Sequence, residues 1–335
     1  MQEVPQTVAM AFSGGLGLAA YHAGVYEAFA RQALPLHWVT GASAGAVTAA
    51  LIAGSSEDRR LESLKSFWQY PPMDRRDTKP WRHAFGWMTA IETRLTGSSG
   101  FFRLRIPDFD PFRFRSFYDL APMRDRLIKL IDFGRLNSGQ PRLSIAATDL
   151  ESGEPAIFDS HSTRLEIDHL LASCGFLPEF APVEIGDRLL GDGGLSLNTP
   201  FDPVLEDLTT GDLLLYVADL YARDGERPYS LEAAAERKND LMMANQTCIR
   251  LAYLAREDVA EGTGTKAGSR QRPDIPAQLP TGHGGARPGE IIRTVSLGFW
   301  AALESGKAGY GVRTNSVIRG RHYNRQKTQS LGSNG

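Results

Sequence analysis

A serine hydroxyl becomes a nucleophile when its backbone exposes it and a base takes its proton. Gly41-Ala42-Ser43-Ala44-Gly45 meets the first need. In the pattern G-x-S-x-G, small residues permit a sharp strand-to-helix turn that lifts the serine out at the edge of a sheet. A helix starting directly behind it turns its partial positive charge toward an oxyanion developing there. The pattern alone also fits an idle tight turn. Here Val39-Thr40 before it has strand character and AVTAALIA after it has helix character, so Ser43 is the candidate nucleophile.

The base is harder to find. A triad in the order Ser, Asp, His needs a histidine after the acid. Only His283 and His322 follow Asp192. One lies in a Gly- and Pro-rich stretch and the other in a basic tail, neither of which holds a side chain within hydrogen-bond reach. Gly191-Asp192-Gly193-Gly194 offers another solution. An aspartate at a strand end, followed by glycines, can be carried by bare backbone close to the serine and take its proton directly. Seen alone, the same residues are an Asp-Gly hairpin turn. With the elbow upstream, Asp192 becomes the candidate base.

A third site precedes both. Phe12-Ser13-Gly14-Gly15-Leu16-Gly17-Leu18-Ala19-Ala20 contains G-x-G-x-x-A, the outline of a dinucleotide fingerprint. That reading needs an acidic residue at the end of the second strand to hold a ribose, and Val39-Thr40-Gly41 has none. The other reading is an oxyanion hole, with bare N–H groups of Gly14 and Gly15 joined by the N–H of Ala44.

Thr7–Phe12 has the apolar character of a buried strand, and a helix is expected from about 18 to 31. A strand at 37–40 enters the elbow, and a buried helix over 44–53 ends at Gly54. Further helices are expected over 57–69, 121–132, 165–174 and 230–256. Strands are expected over 142–149, 154–159, 212–219 and 291–297, with another running into RLLGDGG. Strands alternating with helices predict an α/β three-layer sandwich, with a mostly parallel central sheet and helices on both faces. The acyl hydrolase core is expected to occupy 1–256. A flexible Gly/Pro-rich loop follows over 257–290, a strand and helix completing the domain over 291–318, and a basic disordered tail over 319–335.

Net charge −2 gives no global field toward nucleic acid or an anionic membrane. Two cysteines, Cys174 and Cys248, make no disulfide framework and fit a reducing compartment. The first residues lack the basic start and apolar run of a secretory signal, and no apolar stretch reaches membrane-spanning length, so a cytoplasmic location is expected. The chemistry needs no cofactor, and no metal-ligand cluster is visible in the sequence. Residues 100–118 interleave Phe101, Phe102, Phe112, Phe114, Phe117 and Tyr118 with arginines. Such a segment suits a lid or a peripheral membrane contact, or else a core wrap with arginines paired to Asp108 and Asp110.

Three sites in this order resemble the patatin-like phospholipase family, whose members carry a glycine-rich oxyanion turn, G-x-S-x-G and D-G-[GA]. The likeness runs from Val8 to about Leu254, through AYHAGVYEAF, GASAGAVTAALIAG, ATDLESGEPAIFDS and LLASCGFLPEFAPVEIGDRLLGDGGLSLNTP. It is strongest toward the bacterial, cytoplasmic branch. The resemblance implies a Ser43–Asp192 dyad, oxyanion donors at Gly14, Gly15 and Leu16, supporting glycines at 41, 45, 193 and 194, and a lipid or other ester as substrate. Leu16 and Leu18 stand where many members have Gly and Arg or Lys, so position 18 offers no charge to an anionic headgroup. Rival expectations are a hydrolase or acyltransferase acting on small esters, thioesters or a storage polyester, and a lipid-binding regulatory protein with little turnover.

Overall fold

The computed structural model describes residues 7–68, 97–98, 100–105, 116–207, 213–263, 295–296 and 317–320. Its strands are β1 (Thr7–Phe12), β2 (Trp38–Ala42), β3 (Gly97–Ser98), β4 (Phe102–Leu104), β5 (Tyr118–Asp119), β6 (Arg142–Asp149), β7 (Pro155–Asp159), β8 (Val183–Ile185), β9 (Arg188–Asp192), β10 (Leu213–Asp219), β11 (Val295–Ser296) and β12 (Val317–Gly320). Its helices are α1 (Tyr21–Ala30), α2 (Ala44–Ala53), α3 (Arg60–Trp68), α4 (Ala121–Leu130), α5 (Phe133–Leu136), α6 (Ile167–Ser173), α7 (Asp202–Asp207) and α8 (Leu231–Thr263).

The main sheet runs β11-β10-β1-β2-β6-β9-β8, with β12 on β10 and β7 on β6. The links β10–β1, β1–β2 and β2–β6 are parallel. TVAMAF shows no polar alternation because both faces of β1 are covered. Val8, Met10 and Phe12 join a core with α1, α2 and α3, whereas Ala9 and Ala11 join Phe201, Val204 and Leu251 of the opposite layer. The period of two thus sorts one strand into two cores. The chain is an α/β sandwich of three layers, as its alternating elements predict. All ten residues of α2 are buried, and its alanine-rich sequence suits a helix wedged between sheet and outer helices.

Several bounds differ from expectation. Residues 16–20 form a 3-10 turn before α1, and 57–59 do the same before α3. Helix α8 continues to Thr263, through 257–263 of the stretch read as a loop. β12 pairs antiparallel with β10, so Arg319 and Gly320 of the tail lie beside Leu214 and Leu213. The rest of the expected loop, the C-terminal helix and the rest of the tail lie outside the described residues.

Candidate active site

Ser43 stands between β2 and α2 with φ 53° and ψ −127°. A positive φ costs a residue with a Cβ about 1–3 kcal/mol, so neighbours must hold it there. Its N–H donates to Ser173 Oγ at 2.8 Å, and that hydroxyl donates to the carbonyl of Ala146 at 2.6 Å. Its carbonyl accepts from Ala46 and Val47, the first bonds of α2. Gly45 lets the new helix press on β1, because a Cβ there would sit 2.2 Å from the carbonyl oxygen of Phe12. Ser173 drew no attention in the sequence, since nothing local marks a hydroxyl that serves a residue 130 positions away. Ser173→Ala leaves a buried N–H and a buried carbonyl unpaired, and should cost about 2–4 kcal/mol in urea unfolding. A loss below about 0.5 kcal/mol would mean that the elbow holds itself.

Asp192 reaches the serine through one strand. β2 pairs with β6 up to Ala42 opposite Ala146, and β9 pairs antiparallel with β6 down to Asp192 opposite Ala147. β7 occupies the other edge of β6 over Ser144–Thr148, so β2 and β9 share an edge and meet end to end. Gly193 makes this approach possible, since a Cβ there would lie 2.2 Å from the Ala146 carbonyl oxygen. Thr148 Oγ1 donates to the Asp192 carbonyl at 2.7 Å, pinning the strand end.

The Asp192 carboxylate is 2% exposed. Its Oδ1 accepts from the Gly194 N–H at 2.7 Å, while Oδ2 is buried without a partner in hydrogen-bond geometry. Burial pushes its pKa up to about 7, against the smaller opposing pull of the nearby Ser43 hydroxyl and the Gly194 N–H. The serine therefore lies near enough to favour the charged form, with the bond itself left open, as is common before substrate tightens a site. A carboxylate poised near neutrality is a competent proton acceptor.

The oxyanion turn needs a correction at Gly14. Its N–H is taken by the carbonyl of Asn198 at 3.0 Å and does not point free. Gly14 is needed for space: a Cβ would lie 3.1 Å from Ser43 Cβ and 2.6 Å from Asn198 Oδ1. Ala44 is the first residue of α2 and has no turn before it to supply an acceptor. Gly15 caps the 3-10 turn that Leu16 opens, with its own carbonyl bonded by Leu18 N–H at 3.0 Å.

Between turn, serine and aspartate lies a cavity of about 90 Å³. Phe176 and Tyr221 form its apolar sides, α8 supplies Asn239 and Met243, and Asn198 and Gly194 line it beside Asp192. Burial first, then the charges of Asp192 and Asp219, push the Tyr221 phenol far up, so it stays protonated. Asp219, at the end of β10, is likewise buried and pushed up to about 7. His22 packs in the core beside Thr48 and Phe12, and burial pushes it down to about 3, a neutral structural histidine. Of the other histidines, His37, His161 and His169 do not line the cavity, and His83, His283 and His322 lie outside the described residues. Among the described residues no three His, Cys, Asp or Glu side chains group as a metal would require.

The aromatic segment is only partly described. Phe101 packs against Phe67 and Trp68 with the Arg126 guanidinium 4.8 Å from its ring, and Phe102 packs against Tyr118 and Phe180. These two rings face inward, while Leu104 and Phe117 are exposed. Arg103 pairs with Asp119 at 2.8 Å. Asp108 and Asp110, the partners expected for the arginines, lie outside the described residues.

The family model of patatin-like phospholipases matches residues 10–205, more than half of the chain and all three motifs. The chain belongs to that family. No curated protein sequence matches it. Among solved structures it is similar to VipD from Legionella pneumophila, with 15% identity and a TM-score of 0.39 over 81% of this chain and 57% of that one. It thus spans little more than half of that protein's length. Residues of all three matched motifs, Gly14 and Gly15, Ser43, and Asp192 with Gly194, line the one cavity described above. Among the described residues no helix is long and apolar enough to cross a membrane.

Proposed function

We propose that this chain is a carboxylic ester hydrolase that works through an acyl-enzyme on Ser43 with Asp192 as its base. Ser43 Oγ attacks the ester carbonyl carbon while its proton passes to Asp192 Oδ2. The carbonyl oxygen becomes an oxyanion that the N–H groups of Ala44, Gly15 and Leu16 stabilise at the head of a helix and of a 3-10 turn. Collapse expels the alcohol, which takes the proton from Asp192, and leaves the acyl group on Ser43. Water then attacks the acyl carbon as Asp192 takes its proton, and the second collapse releases the acid and returns the proton to Ser43. The observation that carries this reading is the buried, partnerless Oδ2 in the same cavity as a serine held at positive φ.

One observation favours neutral esters over charged phospholipids. Among the described residues that line the cavity there is no Lys or Arg to hold a phosphate. A lipid surface would be met through residues 100–118, where Leu104 and Phe117 are exposed. The bacterial, cytoplasmic branch is the proposed placement, in keeping with Cys174 and Cys248, which are both free thiols.

The test uses p-nitrophenyl esters of graded chain length beside phosphatidylcholine micelles of matched acyl chains. Turnover of the esters with labelling of Ser43 by a fluorophosphonate is expected, with phosphatidylcholine slower by at least about tenfold. Absence of both turnover and label would leave a lipid-binding protein as the better account. Faster phospholipid turnover would overturn the preference for neutral esters.

A further inference from the structure

The correction at Gly14 leaves a gap in the oxyanion hole, and the residue that causes it also supplies a replacement. Asn198 follows the Asp192 turn and is 1% exposed. Its backbone is fully engaged: the N–H donates to Gln246 Oε1 at 3.0 Å, and the carbonyl accepts the Gly14 N–H at 3.0 Å. Gln246 in turn donates to the carbonyl of Gly194 at 3.1 Å, so α8 clamps the segment from outside. None of these bonds uses the Asn198 side chain. Asn198 lines the cavity with Ser43 and Asp192, and its Nδ2 is buried with no hydrogen-bond partner.

A buried amide N–H without an acceptor costs about 1–3 kcal/mol, and such a group is retained where something else repays it. The amide sits against the two glycines that frame the reacting atoms. A Cβ on Gly14 would lie 2.6 Å from Asn198 Oδ1, and one on Gly194 would lie 3.0 Å from it. Because a half-turn of the terminal amide exchanges its two ends, the N–H₂ can occupy either position in this space. The cavity also lacks any cationic side chain among the described residues, so a neutral donor is what the site has to offer a developing negative charge. A dipole fixed by packing does this without reorganising as the charge forms.

We propose that Asn198 is a further catalytic residue of this site, its side-chain N–H donating to the substrate oxygen as that oxygen becomes the tetrahedral oxyanion. Asn198 thereby takes the place that Gly14 gives up to the Asn198 carbonyl. The inference rests on the Ser43 acyl-enzyme reading and extends it to one more donor.

The experiment measures p-nitrophenyl butyrate hydrolysis by the full chain in wild type, Asn198→Ala, Asn198→Asp and Ser43→Ala, with thermal midpoints for each. Binding of a trifluoromethyl ketone, which adds to serine as a tetrahedral anion, is measured beside it on all but Ser43→Ala. Loss of one oxyanion donor lowers kcat by about 10²–10³-fold. Both Asn198 variants should show that loss with KM within about threefold of wild type, and the ketone should bind them weaker by a similar factor. Asn198→Asp keeps the volume and the backbone bonds, so it carries the test if Asn198→Ala does not fold. Three results would overturn the inference. One is a kcat within about threefold of wild type. Another is undiminished ketone binding. The third is a loss that appears in KM and thermal midpoint, the mark of a merely structural residue. A silent Ser43→Ala beside fully active Asn198 variants overturns this inference alone. An active Ser43→Ala overturns the acyl-enzyme reading, and the added donor with it.

Discussion

Replacing Asp192 by Asn should lower kcat for p-nitrophenyl esters about 10⁴-fold or more, and Ser43→Ala should lower it further, toward about 10⁶-fold. Removing one member of a serine–base unit costs amounts of this order, and the residual rate comes from binding and the oxyanion donors. Asn is nearly the same size and its carbonyl can still accept the Gly194 N–H that Asp192 Oδ1 accepts at 2.7 Å. What it loses is the proton affinity of Oδ2, the atom without a partner in the cavity. Among the described residues no histidine lines that cavity to take over. The two variants should therefore be nonadditive: the double variant should fall no further than Ser43→Ala alone. An Asp192→Asn rate within about tenfold of wild type would mean another base and would end the mechanism.

Activity and stability should respond to pH in opposite directions. Burial holds Asp192 up at about 7, above its ordinary value of 3.8. Only the carboxylate accepts a proton, so kcat/KM should rise as pH passes through about 7 and level off above it. For stability, the folded state binds this proton more tightly than the unfolded chain does. The contribution is full below about pH 4 and is lost as pH rises to about 7, a shift worth about 4 kcal/mol. Asp192→Asn abolishes that loss. It should match wild type near pH 4 and exceed it by several kcal/mol at pH 8, as read from urea midpoints at both pH values. Asp219, raised for the same reason, makes both proteins weaken with pH, so the difference between them is the informative quantity. A difference that stays flat from pH 4 to pH 8 would mean that Asp192 ionises normally and the site is wetter than the packing implies.

Much of this was legible in the residues. TVAMAF and the apolar run of β10 declare strands buried on both faces, and G-x-S-x-G between a strand and an alanine-rich helix declares the elbow at Ser43. Elimination of the histidines and the glycines behind it make Asp192 the candidate base. What failed to show is what long-range pairing creates. Ser173 holds Ser43 from 130 residues away, and no spacing marks it. Gly14 looked like a free donor because a sequence does not say which carbonyl will come to meet it; the carbonyl of Asn198 does. No motif singles out Asn198, since a side-chain amide is judged by its surroundings and these come from β1, the Asp192 turn and α8. The strand at 317–320 escaped because VIRG is short and its partner, β10, supplies the ladder. The end of α8 is hard to read because Glu257 and Glu261 have loop-like polarity yet favour helix as well.

The end-to-end meeting of β2 and β9 on one edge of β6 would make the proposed ester turnover a gauge of folding fidelity. Nucleophile and base arrive from distant parts of the chain, and neither loop between them sets their spacing. Adjacent rungs of β6, at Ala146 and Ala147, set it. A slip of β9 by one residue would leave the secondary structure content unchanged, yet would turn Asp192 to the opposite face of the sheet and silence the pair. During refolding, recovery of catalysis should therefore lag recovery of circular dichroism, because the two residues of the proposed dyad meet only once β9 is in register on β6.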